Sequence, residues 1–176
     1  MACNIGHMAS VASASKIVRR AKEPADVVAF VDFVRSGKPG QHAYAVLLGL
    51  KVFEPVALMK SVQRGFGFDA FARLQRNLEL SQARLLEVVQ IPPRTFSRRR
   101  KEGRLMTDES DRLLRAGRVF GRAIVLFDGD AEAARSWLAA PQAVLGGVVP
   151  WELAKTDLGA HEVESAIGRI EQGVFA

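Results

Sequence analysis

Along most of the chain, apolar positions recur at intervals of three and four, the spacing of helices with one buried face. Val27, Phe30, Val31 and Val34 predict a helix from Pro24 through Val34, ended by Ser36-Gly37-Lys38-Pro39-Gly40. The run Ala43 to Leu50 is apolar without a decisive period; a helix is expected, because no second strand exists to pair with it. Glu54-Pro55 opens a helix to about Arg64, with Val56, Met59 and Val62 expected inward. Gly65-Phe66-Gly67-Phe68 turns the chain, and Asp69 is expected to cap a helix whose Phe71, Leu74 and Leu78 share a face. Ser10 to Lys22 shows little periodicity.

Two short helices and a tight turn follow. Ser81 is a good N-cap, and Leu85, Val88 and Val89 form one apolar face behind it. Gln90-Ile91-Pro92 breaks that helix. Pro93 suits the first position of the next, where a missing N–H costs nothing. Phe96 is the one large apolar residue of this second helix and its expected anchor; Gly103 supplies the stop. This is the helix-turn-helix arrangement (81–103), in which the second helix enters a DNA groove.

Beyond it, Thr107-Asp108-Glu109-Ser110 starts a long helix expected to run to Phe127, with Leu113, Gly117, Phe120, Ile124 and Phe127 inward and Arg112, Arg115, Arg118 and Arg122 outward. Asp130 caps a helix from Ala131 to Ala140, with Trp137 and Leu138 buried and Pro141 its stop. Leu145-Gly146-Gly147 is a turn, and Pro150 to Lys155 a short helix. A last helix runs from Ala160 to Gln172 on Val163, Ala166, Ile167 and Ile170, and Gly173 ends it. The expected fold class is all-α.

Charge changes this picture. From Arg94 to Arg104 six basic residues (Arg94, Arg98, Arg99, Arg100, Lys101, Arg104) meet a single acid, Glu102. Successive helical residues are about 100° apart, so Arg98, Arg99 and Arg100 fan out and cannot all reach base edges. Some must meet phosphates. Arg94, Thr95 and Arg98, near the helix start, are the better candidates for bases. From Asp128 onward there are eight acids and three bases, a net of −5, against +11 for residues 1–127. A basic front suits a polyanion, and an acidic back suggests a second partner of another kind.

Composition adds exclusions. A hydrophobic content of 48% supports a core, and no apolar run approaches the length of a membrane span. Residues 1–10 resemble a vector-derived leader, with Gly6-His7-Met8 as a cloning junction. Setting Met1 to His7 aside removes Cys3, the only cysteine, which fits a reducing cytoplasm. His42 and His161 remain, neither at a metal-ligand spacing. Asp128 and Asp130 read as turn and cap, and Glu162 and Glu164 do not face each other on a helix. No catalytic or metal-binding residue is assigned, no cofactor is expected, and enzymatic activity is not expected.

From about Ala43 to the end the chain resembles antitoxins of the Xre/MbcA/ParS family, ParS-like partners of RES-domain toxins. The matching stretches are Ala45 to Leu50, Leu80-Ser81 to Arg99, Gly103-Arg104-Leu105 with Asp108 to Leu113, then Ala134, Trp137-Leu138, Pro141, Leu145-Gly146-Gly147, Pro150, Gly159, Val163 and Gly168 to Gly173. Their order and spacing carry the resemblance. It implies an Xre-like helix-turn-helix followed by a small helical toxin-binding domain. It implies binding of a toxin that consumes NAD or ADP-ribosylates, and repression of the protein's own operon at operator DNA. Two positions depart from the family: Pro92 stands where a small hydroxyl residue is common, and Trp151 where a smaller aliphatic residue is usual.

The expected organisation is therefore an N-terminal helical segment (11–40), a helical domain with the helix-turn-helix (41–127) and a toxin-binding domain (128–176). The candidate DNA-binding residues are Arg94, Thr95, Ser97, Arg98, Arg99, Arg100 and Lys101. The candidate toxin-binding residues are Trp151, Arg169, Glu171, Gly173, Val174, Phe175 and Ala176: Trp151 is a hot spot at the surface or a core residue if buried, and the tail either borders the toxin's NAD cleft, with Phe175 as apolar anchor and the terminal carboxylate as a phosphate mimic, or folds Val174 and Phe175 back on the last helix. Helix-turn-helix repressors commonly work as dimers on two-fold sites, so a homodimer is expected, and with toxin a symmetric heteromer. Pro24 to Val34 is the expected dimer contact. The alternative is a transcription regulator whose C-terminal domain dimerises or senses a ligand, with no toxin partner.

Overall fold

The computed structural model describes residues 23–37 and 42–173. Residues 1–10, expected to be a leader, the stretch from Ser10 to Lys22, residues 38–41 and residues 174–176 lie outside the described residues. Within them the chain is all-α: α1 (Ala25–Arg35), α2 (Pro55–Arg64), α3 (Asp69–Leu78), α4 (Gln82–Val88), α5 (Pro93–Glu102), α6 (Thr107–Leu126), α7 (Ala131–Ala139), α8 (Pro150–Leu153) and α9 (Asp157–Glu171). Two 3-10 segments, Ala43–Leu48 and Ala143–Leu145, interrupt the series. Among the described residues, strand-like pairing is confined to two isolated bridges, Gly67 with Arg104 and Gln142 with Val148.

The centre of the molecule is α6, about 30 Å long at 1.5 Å per residue. Its buried positions (Leu113, Ala116, Gly117, Val119, Phe120, Gly121, Ala123, Ile124) cover more than one face, as expected of a helix enclosed by neighbours. It packs against α1, Ala43–Leu48, α2, α3, α7 and α9. Gly121 sets one of these approaches: a Cβ there would lie 2.9 Å from Tyr44 Cβ and 3.2 Å from Phe30 Cζ. Gly159 sets another, since its Cβ would strike the Leu153 carbonyl oxygen between α8 and α9. One continuous hydrophobic core runs from Val27 to Ile167.

Three expectations are corrected and one is refined. The helix expected in the run from Ala43 is a 3-10 helix over Ala43–Leu48, closed by Gly49 in the left-handed region at φ +73°. Helix α2 is rolled from its expected orientation: Leu58 is the buried residue, whereas Val56 is 60% exposed and Met59 52%. Asp69 is the first residue of α3 and makes no cap hydrogen bond; its acid sits in the first turn, where the helix dipole favours it. Helix α9 begins at Asp157, not Ala160, because the Thr156 hydroxyl caps it by accepting the Gly159 N–H at 3.0 Å. The apolar stripe of α1 is partly spent on the chain's own core, through Val27 and Phe30.

Candidate functional site

The helix-turn-helix forms where its punctuation places it. The Ser81 hydroxyl accepts the Arg84 N–H at 3.2 Å, opening α4. Leu85, Leu86, Val88 and Val89 are buried beneath it. Gln90 turns the chain in the left-handed region at φ +51°. Pro92 holds the N-cap position of α5 without a side-chain hydrogen bond, and Pro93 is the first helical residue. Phe96 fixes α5 to the core: its ring lies 4.6 Å from Phe71 and 5.0 Å from Phe68. Gly103, at φ +72°, ends the helix. The strand-like links Phe68 N–H to Gly103 O and Leu105 N–H to Phe66 O then tie the exit of α5 to the turn before α3.

The basic residues of α5 meet different fates. At about 100° per residue, Arg94, Ser97, Arg98 and Lys101 fall within an arc of about 100°, opposite Phe96. All four are exposed. Among the described residues Arg94 and Lys101 have no hydrogen-bond or ion-pair partner, and Arg98 has only a 3.8 Å approach to Glu102. Ser97 donates back to the Pro93 carbonyl at 3.0 Å. Thr95 is half-buried. Arg100 spreads its guanidinium over Phe68 and Phe96, at 6.0 and 5.9 Å from the ring centres.

Arg99 is a correction. It is 9% exposed and points inward beside Phe96. Its Nε lies 2.9 Å from both carboxylate oxygens of Glu109, and its Nη1 2.7 Å from Glu102. Hydrogen bonds to Glu102 and Glu109 push its pKa further above the ordinary arginine value. It is therefore a structural cation and does not belong to the open basic stripe. Glu109, a residue that sequence reading gave only to the start of α6, is the partner that was missed.

The C-terminal region is built against α6. Asp130 Oδ1 accepts the Glu132 and Ala133 N–H groups at 3.1 Å and starts α7. Along α9 three acids meet three α6 arginines in the same order: Asp157 with Arg115 at 3.8 Å, Glu164 with Arg118 at 2.6 Å, and Glu171 with Arg122 at 3.1 Å. Glu152 of α8 reaches Arg84 of α4 at 2.6 Å and also Lys155. Hydrogen bonds from Lys155 and Arg84 hold the Glu152 carboxyl below its ordinary range. Four of the eight acids beyond residue 127 are thus paired with arginines from before it. The spacing of seven between Asp157, Glu164 and Glu171 was the sequence signal that could have shown this.

The toxin-binding candidates divide in the same way. Trp151 is 2% exposed and lies in the core, so of its two expected roles the packing one holds and it drops out of the toxin-binding candidates. Arg169 is half-buried, Glu171 is exposed on the last turn of α9, and Gly173 closes that helix at φ +67°. Val174, Phe175 and Ala176 lie outside the described residues. No group of three or more acids, histidines or cysteines among the described residues could hold a metal, and no described helix is long and apolar enough to cross a membrane.

Fold and site together define a class: an all-α protein in which a helix-turn-helix with an open basic stripe shares a central helix with a second helical module. Residues 57–118 match the model of the antitoxin Xre-like helix-turn-helix domain, and residues 122–173 that of the antitoxin Xre/MbcA/ParS C-terminal toxin-binding domain. The chain is 36% identical over 130 residues to the antitoxin Xre of Yersinia enterocolitica, a match covering 73% of this chain and 88% of that one. It is 39% identical over 93 residues to the antitoxin Xre of Photorhabdus laumondii (52% and 63% covered) and 36% over 84 residues to that of Pseudomonas putida (47% and 52%). The chain belongs to the Xre/MbcA/ParS antitoxin family, and the resemblance read from the sequence is borne out. The two matched regions meet inside α6.

Proposed function

We propose that this protein neutralises a RES-domain toxin, one that consumes NAD or ADP-ribosylates, and represses its own operon by binding operator DNA through α5. The observation that carries the DNA half is the exposed stripe Arg94, Arg98 and Lys101, set opposite the Phe96 anchor and with few acids of its own. Cations without protein partners are available to phosphates and base edges. The toxin half rests on the match of residues 122–173 to a toxin-binding domain. Its contact runs over the end of α9, Arg169 and Glu171, and continues through Gly173 to Ala176. There Phe175 borders the toxin's NAD cleft.

The protein works as a cytoplasmic homodimer, as a two-fold operator requires, and forms a symmetric heteromer with toxin. Its role is that of a non-enzymatic regulator. Co-expression with the neighbouring gene tests the reading: growth rescue and a co-purifying second chain are expected, and neither should survive if the partner is not a toxin. Deleting residues 173–176 should weaken neutralisation; full rescue by the truncated chain rules out the cleft contact.

A further inference from the structure

We propose that Arg99 is a positioning residue of the DNA-binding unit: its buried fork on Glu109 and Glu102 fixes the roll of α5 and so aims Arg94, Arg98 and Lys101. The proposal rests on the operator-binding reading above and deepens it. The backbone links beyond Gly103 hold the end of this ten-residue helix, but along its length a single apolar anchor leaves it free to turn about that contact. Phe96 and Arg99 are three residues apart, about 4.5 Å along the axis and about 60° around it. Two anchors at different heights remove that freedom, which Phe96 alone leaves open.

The second anchor is itself held. Glu109 is 4% exposed and accepts the Met106 N–H at 2.8 Å, closing the first turn of α6. A guanidinium suits this place because its planar fork bonds two carboxylates at once, whereas an ammonium supplies a point charge on a loose stem. Arg99 therefore links the angle of α5 to the central helix without touching DNA.

Charge and position can be separated by experiment. Full-length protein would be titrated by fluorescence anisotropy against a duplex from the segment upstream of its own reading frame, and against an unrelated duplex of the same length, over a range of salt. Arg99→Lys keeps the charge and loses the fork. It should lower affinity for the upstream duplex by about tenfold or more, the scale of one lost base contact. Affinity for the unrelated duplex and the salt slope should stay as in wild type. Arg98→Ala should instead weaken both duplexes and make the slope shallower by about one.

Glu102→Gln removes the surface arm of the fork, with little risk to folding, and also the acid 3.8 Å from Arg98, so it is read by the ratio of the two affinities: a smaller loss of discrimination of the same kind is expected. Glu109→Gln frees Arg99 to swing out and should behave as Arg99→Lys; circular dichroism checks that each variant is folded. Wild-type discrimination by folded Arg99→Lys or by Glu102→Gln, or tighter binding by Glu109→Gln, would each overturn the positioning role alone. Equal binding of both duplexes by wild type would overturn the operator reading together with it.

Discussion

Helix α5 carries five arginines or lysines and α6 four, and the two helices use them in opposite ways. On α5, Arg94, Arg98 and Lys101 face outward with little protein charge to answer them. On α6, Arg112 pairs with Asp108, Arg115 with Asp157, Arg118 with Glu164 and Arg122 with Glu171. The difference lies in the neighbours. Helix α9 presents an acid every seven residues along the flank it turns to α6, whereas α5 has Glu102 alone on its own surface. A count of arginines therefore does not find a polyanion site; the arginines that remain unanswered by acids do. The same pairing spends much of the −5 of residues 128–176 inside the molecule, so that figure overstates the negative charge this region offers a second partner.

The largest effect is expected where the two halves share a core. Trp151→Ala should destabilise the protein by about 3–5 kcal/mol, the cost of emptying a large buried site. Thermal or denaturant unfolding reads it directly. A surface anchor would behave otherwise, leaving the melting temperature unchanged while toxin affinity falls.

Next comes the contrast between the two basic rows. The double change Arg98→Ala with Lys101→Ala should make the salt slope of DNA binding shallower by about two and cut affinity roughly fiftyfold at 0.1 M salt. Stability should move by no more than about 0.5 kcal/mol, as for exposed positions away from any packed feature. Arg118→Ala should give the reverse pattern. The slope stays unchanged, and stability falls by about 1 kcal/mol as Glu164 loses a close partner at a half-buried position. A shallower slope in Arg118→Ala would erase the distinction between the rows.

Much of this was legible in the sequence because the signals are local. Ser81, Pro93 and Gly103 each act on their own turn of backbone, and the helix-turn-helix boundaries follow from them. Phe96 was recognisable as an anchor because no other large apolar residue competes with it on α5. Helical arithmetic alone would also have set Arg99 next to Phe96, since three residues carry the chain about 300° around. The carboxylate that receives it sits ten residues on, across a turn, and only the folded chain brings it there.

The roll of α2 was hidden for a similar reason. Val56, Met59 and Val62 make as good a stripe as Leu58 and Val62 do, and the side from which α6 approaches decides between them. The run Ala43–Leu48 has buried residues on nearly every side, so no period could distinguish 3-10 from α. In each case the missing information was the direction of a neighbour.

The smallest effect tests whether the α6–α9 row is a set of separate pairs or one network. Asp157 is 84% exposed on its side chain and 3.8 Å from Arg115, so an isolated pair there contributes less than about 0.5 kcal/mol and is screened by salt. Asp157→Asn should therefore barely shift the unfolding midpoint, and less still at 0.5 M salt. Glu164→Gln, at a shorter and better buried pair, should cost more at both salt concentrations. If Asp157→Asn costs as much as Glu164→Gln, the three arginines are coupled along α6. The row would then act as a unit that a toxin docking on α9 could loosen or tighten from one end. If the costs rank as the distances and exposures do, each pair acts alone, and α6 joins the two modules through its apolar core.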